Sequence, residues 1–307
     1  MTETMNNANF GLMKLLHPSK ILFIQALLAL LCVSLAGCFS SRQMITDSAV
    51  GLFQELALSV NRQSDVALVR QGIPSYLLLI DGIIQANPGN PDLLLAAAQA
   101  YASYASLLEE EDTTRTAQLI QKAKIYAIKA LEQNPLFKGA PENSLDLFKK
   151  QMEKSEKSHV PLLFGVGNIW GTWIAQGPDS VEGMADLPKV EVLMDRVLQL
   201  DPGYYYGGPH LFKGILLSAR PVQYGGDLKK AETHFQQALN YSQGKFLMTY
   251  IFYAQYYAKQ RLDRDLFVKT LNQVLSTPPE IEPELTLINT LAHEKAKKLL
   301  SEVDEYF

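Results

Sequence analysis

The chain has 307 residues, 47% of them hydrophobic, with a net charge of −4 and two cysteines. That is enough apolar material to bury a sizeable core, and a mildly acidic balance without a basic run argues against nucleic acid as a partner. Cys32 lies in an apolar leader that is discarded on export, so a mature chain keeps Cys38 alone and can form neither a disulfide nor a cysteine metal site.

The leader is the apolar run from Ile21 to Leu35, preceded by Lys14 and Lys20 and followed by Ala36, Gly37 and Cys38. A basic start, an apolar middle and a small-residue end are signal-peptide order. The run falls short of the roughly 20 apolar residues of a membrane span, and Gln25 and Ser34 interrupt it. Residues 1–37 therefore read as a signal peptide. Leu35-Ala36-Gly37-Cys38 resembles the lipobox of bacterial lipoproteins, which implies that the Cys38 thiol takes a diacylglyceryl group and becomes the new N-terminus. Phe39 follows, with no aspartate of the kind that retains enteric lipoproteins at the inner membrane. The expected address is the periplasmic face of the outer membrane, with the lipid as the only membrane contact.

Residues 38–46 read as a short tether and 47–307 as one helical-repeat domain. Residues Val190, Leu193, Met194, Val197 and Leu198 follow a 3.6-residue period, predicting a helix over 188–200. A second helix is predicted over 228–239, with Asp227 as its N-cap. Helices are expected to stop at Asn87-Pro88, Asn134-Pro135 and Asp201-Pro202, because proline cannot continue a helix and Asn or Asp tolerates the turn. Between the first two stops, helices over 92–108 and 116–133 form a hairpin in which Ala96, Ala97, Ala100, Ala102 and Ala105 permit close approach. The expected class is all-α, an irregular tetratricopeptide-like array of helical hairpins: the stops recur at intervals of 47 and 67 residues, against a period of roughly 34 in that repeat.

Two segments break the helical monotony. Trp170 and Trp173 stand three apart and share a helix face, with Gly167 and Gly171 baring the backbone four apart. Tight packing and a binding site both fit them. Tyr204, Tyr205 and Tyr206 cannot all face one core, so at least one hydroxyl is expected to meet water, a ligand or another chain. A helix predicted over 211–219 ends at Arg220, which caps its carbonyls or awaits a carboxylate, and Tyr224 stands in the Gly-rich turn beyond. Another helix over 249–259 is aromatic around much of its circumference.

Residues 185–189, 204–210 (Tyr-Tyr-Tyr-Gly-Gly-Pro-His), 225–231 with His234-Phe235, and the aromatic segment 247–257 resemble the T component of tripartite ATP-independent periplasmic (TRAP) transporters, over essentially the mature chain. The resemblance implies a helical periplasmic lipoprotein that forms a homotrimer around a pore, pairs with the solute-binding protein (the P component) and passes a small organic ligand. The competing expectation is a repeat scaffold for outer-membrane or pilus assembly. An enzyme is not expected: no nucleophile elbow or P-loop is present, and His293-Glu294 lacks the second histidine of a zinc helix. No motif calls for a cofactor or a metal.

Overall fold

The computed structural model describes residues 50–53, 55–108, 112–177 and 180–307. The lipobox, the leader and the tether up to residue 49 lie outside the described residues. From Phe53 to Phe307 the chain is one compact unit with a continuous apolar core, and residues 50–52 belong to a preceding one. All regular structure in the described residues is helical.

Local capping chemistry sets the helices. Asp65 accepts the Leu68 N–H to start α1 (Val66–Ala86), and Asn90 accepts the Leu93 N–H at the head of α2 (Pro91–Leu108). Asp112 caps α3 (Thr113–Gln133), and the short α4 (Leu145–Met152) precedes α5 (Val160–Gln176). Ser180 caps α6 (Val181–Leu200); α7 (Tyr204–Ala219) follows at once, and Asp227 caps α8 (Leu228–Ser242) as expected. The chain then forms α9 (Met248–Phe252), which runs into a π-helical turn (Tyr253–Ala258), and closes with α10 (Arg264–Ser276), α11 (Thr286–Ser301) and α12 (Val303–Tyr306). Side-chain oxygens that take an orphan N–H in this way are worth about 1 kcal/mol each.

The three stops at Asn87, Asn134 and Asp201 are all helix C-caps. Three other boundaries depart from the pattern. Helix α6 starts at Val181 and carries Pro188 inside it, because the Ser180 cap and the seam with α5 outweigh the one backbone hydrogen bond that proline forfeits. Helix α7 starts seven residues early through a distorted first turn. The aromatic helix widens into the π turn, the form that appears mostly as single-turn bulges at functional sites.

Antiparallel pairs α2/α3, α5/α6 and α7/α8 stack in order, and the first helix of each pair touches the first helix of the next. Side-chain contacts give the direction. In α5, Phe164 lies against Tyr204 and Gly208, while Gly171 lies against Phe212, so α5 and α7 run parallel. Helix α1 is tied to α2 and α3 by a half-buried polar knot: Asp81 accepts hydrogen bonds from Tyr101 (2.7 Å), Tyr126 (2.7 Å) and Lys122 (2.5 Å). Desolvation alone would raise the Asp81 pKa, but these three donors hold it below the usual carboxylate value. The far end of the array comes back to α1, which also touches α11, with Arg62 3.4 Å from Glu284.

Candidate functional site

Among the described residues, the turn that opens α7 has the one run of three successive left-handed residues, Tyr205 (φ 46, ψ 60), Tyr206 (φ 58, ψ 33) and Gly207 (φ 79, ψ 24). For a residue with a side chain this conformation costs roughly 1–2 kcal/mol, and a bulky one persists there only where its surroundings over-determine it. Gly207 shows what does so. A Cβ on it would lie 2.9 Å from Ala238 Cα and 3.2 Å from the Ala238 carbonyl, so the α7 and α8 backbones touch at this point. Gly203 and Gly208 are pressed in the same way by the rings of Tyr241 and Phe164.

The turn gathers rings from three distant stretches of chain into one wall. Phe164 meets Tyr204 edge-on at 5.2 Å and Tyr205 at 5.6 Å, while Phe246 meets Tyr205 edge-on at 5.9 Å and stacks on Tyr206 at 6.0 Å. Among the described residues, none of the hydroxyls of Tyr204, Tyr205 and Tyr206 has a hydrogen-bond partner. Burial raises the pKa of all three, which therefore stay protonated as O–H donors at neutral pH. Tyr205 is 49% exposed, so its side chain is open to what approaches the wall.

Beyond Tyr206 stand Glu282 and Glu284, whose negative charges add to the rise in its pKa. Each carboxylate already holds a cation: Lys245 lies 3.2 Å from Glu282, and Arg62 reaches Glu284. The fully buried Asn289 fixes this end of the wall. Its Oδ1 accepts the Leu247 N–H at 3.0 Å, and its Nδ2 donates to the carbonyls of Lys245 (3.0 Å) and Pro279 (3.1 Å). Phe164, Phe246 and Asn289 carried no local signal in the sequence. Each sits in an ordinary helical or turn context and acquires its role only through packing.

The remaining candidates go elsewhere. Trp170 is buried between α3, α5 and α6, where its Nε1 donates to Asp186 at 2.8 Å; Lys124 pairs with the same oxygen at 3.0 Å. The Lys124 ammonium also sits 3.2 Å from the centre of the Trp173 ring, whose Nε1 donates to Gln121 at 2.5 Å. These tryptophans knit a seam, and the glycine stripe serves it: Gly167 takes Met194, and Gly171 takes Phe212 and Val190. Arg220 pairs with Glu191 and sits at the C-cap of α7. Tyr224 is 73% exposed on the turn beyond. Behind the wall, His210 and His234 face each other with Nδ1 atoms 2.9 Å apart, and His210 stacks on Tyr241. Among the described residues no group of three or more His, Cys, Asp or Glu is placed to hold a metal ion. A cavity of about 110 Å³ between Gln255, Lys295 and Tyr306 is smaller than the roughly 300 Å³ of a typical ligand pocket.

The family model of the TRAP transporter T-component matches residues 62–307, which takes in every helix described above. A protein of Treponema pallidum (strain Nichols), described as uncharacterized, is 24% identical over 267 residues, covering 80% of this chain and 81% of its own length. The all-helical array and the match over most of its length place this chain in the TRAP transporter T-component family, with an accessory role in TRAP transport.

Proposed function

We propose that this protein is a lipid-anchored T component that binds the solute-binding protein of its TRAP system and relays a small organic ligand along the Tyr204–Tyr206 wall. Cys38 carries the lipid and holds the array at the periplasmic face of the outer membrane; three copies assemble around a shared passage. The stacked hairpins are tetratricopeptide-like in this reading, each burying one face on its neighbour. The observation that carries the proposal is the wall itself: strained tyrosines, with hydroxyls that meet no protein group among the described residues, where the α5/α6 and α7/α8 hairpins meet the segment that carries Phe246. Strain of this kind is retained where it positions side chains for use.

Immobilised full-length protein, challenged with the periplasmic binding proteins of its own organism, should retain a TRAP-type P component. Retention of none refutes the partnership. Replacing Cys38 with serine should abolish incorporation of labelled palmitate and release the protein from the membrane fraction; continued labelling would disprove the anchor. The scaffold reading draws on a different observation, the exposed apolar residues Val222, Tyr224 and Leu262 at hairpin turns. It predicts that the same experiment retains an outer-membrane or pilus protein instead.

A further inference from the structure

The wall also carries information about the charge of what it meets. A carboxylate ligand needs a cation or several strong donors to offset the loss of water, and an unpaired buried charge costs several kcal/mol. Glu282 and Glu284, whose charges reach Tyr206, are each engaged by a cation, Lys245 and Arg62. Those carboxylates add to the rise in the Tyr206 pKa that burial begins. An anion arriving at this end of the wall therefore finds Lys245 and Arg62 already engaged.

A cationic ligand is disfavoured for a different reason. Rings that bind an ammonium group surround it with their faces, whereas here the rings of Phe164, Tyr205, Tyr206 and Phe246 pack on one another, with centroids 5.6–6.0 Å apart from ring to ring. They form a continuous surface with no box for a charge. The surface is built of ring faces and neutral phenols and presents no charged group of its own. It offers ring faces, and O–H groups able to donate to an acceptor.

We propose that the ligand met by the Tyr204–Tyr206 wall is an uncharged amphipathic molecule, one that lays an apolar face on the rings and presents hydrogen-bond acceptors to the phenol hydroxyls. This rests on the reading of the wall as the ligand surface, and the test separates the two. Binding of phenylpropanol, phenylpropanoate and phenylpropylammonium, which share one skeleton and differ in charge, is measured by calorimetry and ligand-observed NMR near neutral pH. The protein is the compact unit from Phe53 to Phe307, which carries its own core.

The alcohol should bind at least about tenfold more tightly than either ion, the ratio expected for a charge left partly desolvated without a partner. Tyr205→Ala should weaken the alcohol by about tenfold, the loss of one stacked ring at a binding surface. Tyr224→Ala, on an exposed turn away from the wall, should leave binding unchanged. Equal or tighter binding of either ion, still lost in Tyr205→Ala, overturns the uncharged class and keeps the wall as ligand surface. Failure of all three probes to saturate the protein, or binding indifferent to Tyr205→Ala, removes the wall as ligand surface and the inference with it.

Discussion

Gly207→Ala tests whether the close approach of α7 to α8 holds the tyrosine turn in place. Two costs add at this position. A Cβ at φ 79 meets the left-handed penalty of roughly 1–2 kcal/mol. The new methyl also lands 2.9 Å from Ala238 Cα, and backbone cannot swing aside as a side-chain tip can. Overpacking of this kind costs roughly 1–3 kcal/mol more, so the expected loss is about 2–5 kcal/mol. Gly225→Ala is the matched control: its φ is 93, but nothing lies within 4 Å of the added Cβ, so only the conformational part applies. Urea unfolding followed by far-UV circular dichroism gives both values by linear extrapolation. If the two variants lose the same stability, the α7–α8 contact is not what enforces the turn, and the argument from Gly207 to the strained tyrosines fails.

Further outcomes follow from the same geometry. Tyr205→Asn should leave stability within about 1 kcal/mol of the parent, because relief of the left-handed penalty offsets the lost ring contacts, while ligand handling is lost; a large destabilisation in the same urea assay would mean the ring is structural. Asp81→Asn should cost about 1–3 kcal/mol by breaking the charge-assisted part of the knot with Lys122, and should speed amide exchange in α1 before the other helices; uniform exchange would show that the knot does not secure α1. The His210 pKa is pushed down to about 4, first by desolvation and then by the charge of His234. The unfolded chain thus binds the proton more readily, so this contribution is intact above about pH 6.5 and declines as pH falls towards 4. Discounted for partial exposure and solvent screening, the loss is on the order of 1–2 kcal/mol. Melting temperatures across that window in the parent and in His210→Phe should diverge above pH 6.5 less than below it; parallel curves would refute the assignment.

Much of the architecture could be read from local chemistry. Asn87, Asn134 and Asp201 end helices because the proline after each offers no continuing donor, and Asp227 begins one by taking an N–H; such effects operate within four residues and need no fold. What escaped is what requires neighbours. Pro188 looked like a helix start, since the Ser180 cap and the buried seam that carry α6 through it are tertiary. The three tyrosines were conspicuous as a run, but only the pressure of Ala238 on Gly207 turns them left-handed. Trp170 and Trp173 drew attention by rarity, and the ion pair Lys124–Asp186 that claims them comes from helices on either side of α5. Phe246 and Asn289 sit in unremarkable stretches, and nothing short of the folded array brings them to the wall.

The return of α11 to α1 bears on how the protein comes apart. In an open stack of hairpins each unit leans on its neighbours, so an end can fray without disturbing the middle, and stability is close to a sum of local terms. Here the first and last long helices touch, and the terminal hairpin that frays in an open array has a second partner. Either end is released only by opening a circuit, and loss of one end exposes surface on the other. Truncation from the two termini should therefore fail to add, and the Tyr206 end of the aromatic wall, next to Glu284, lies close to the join.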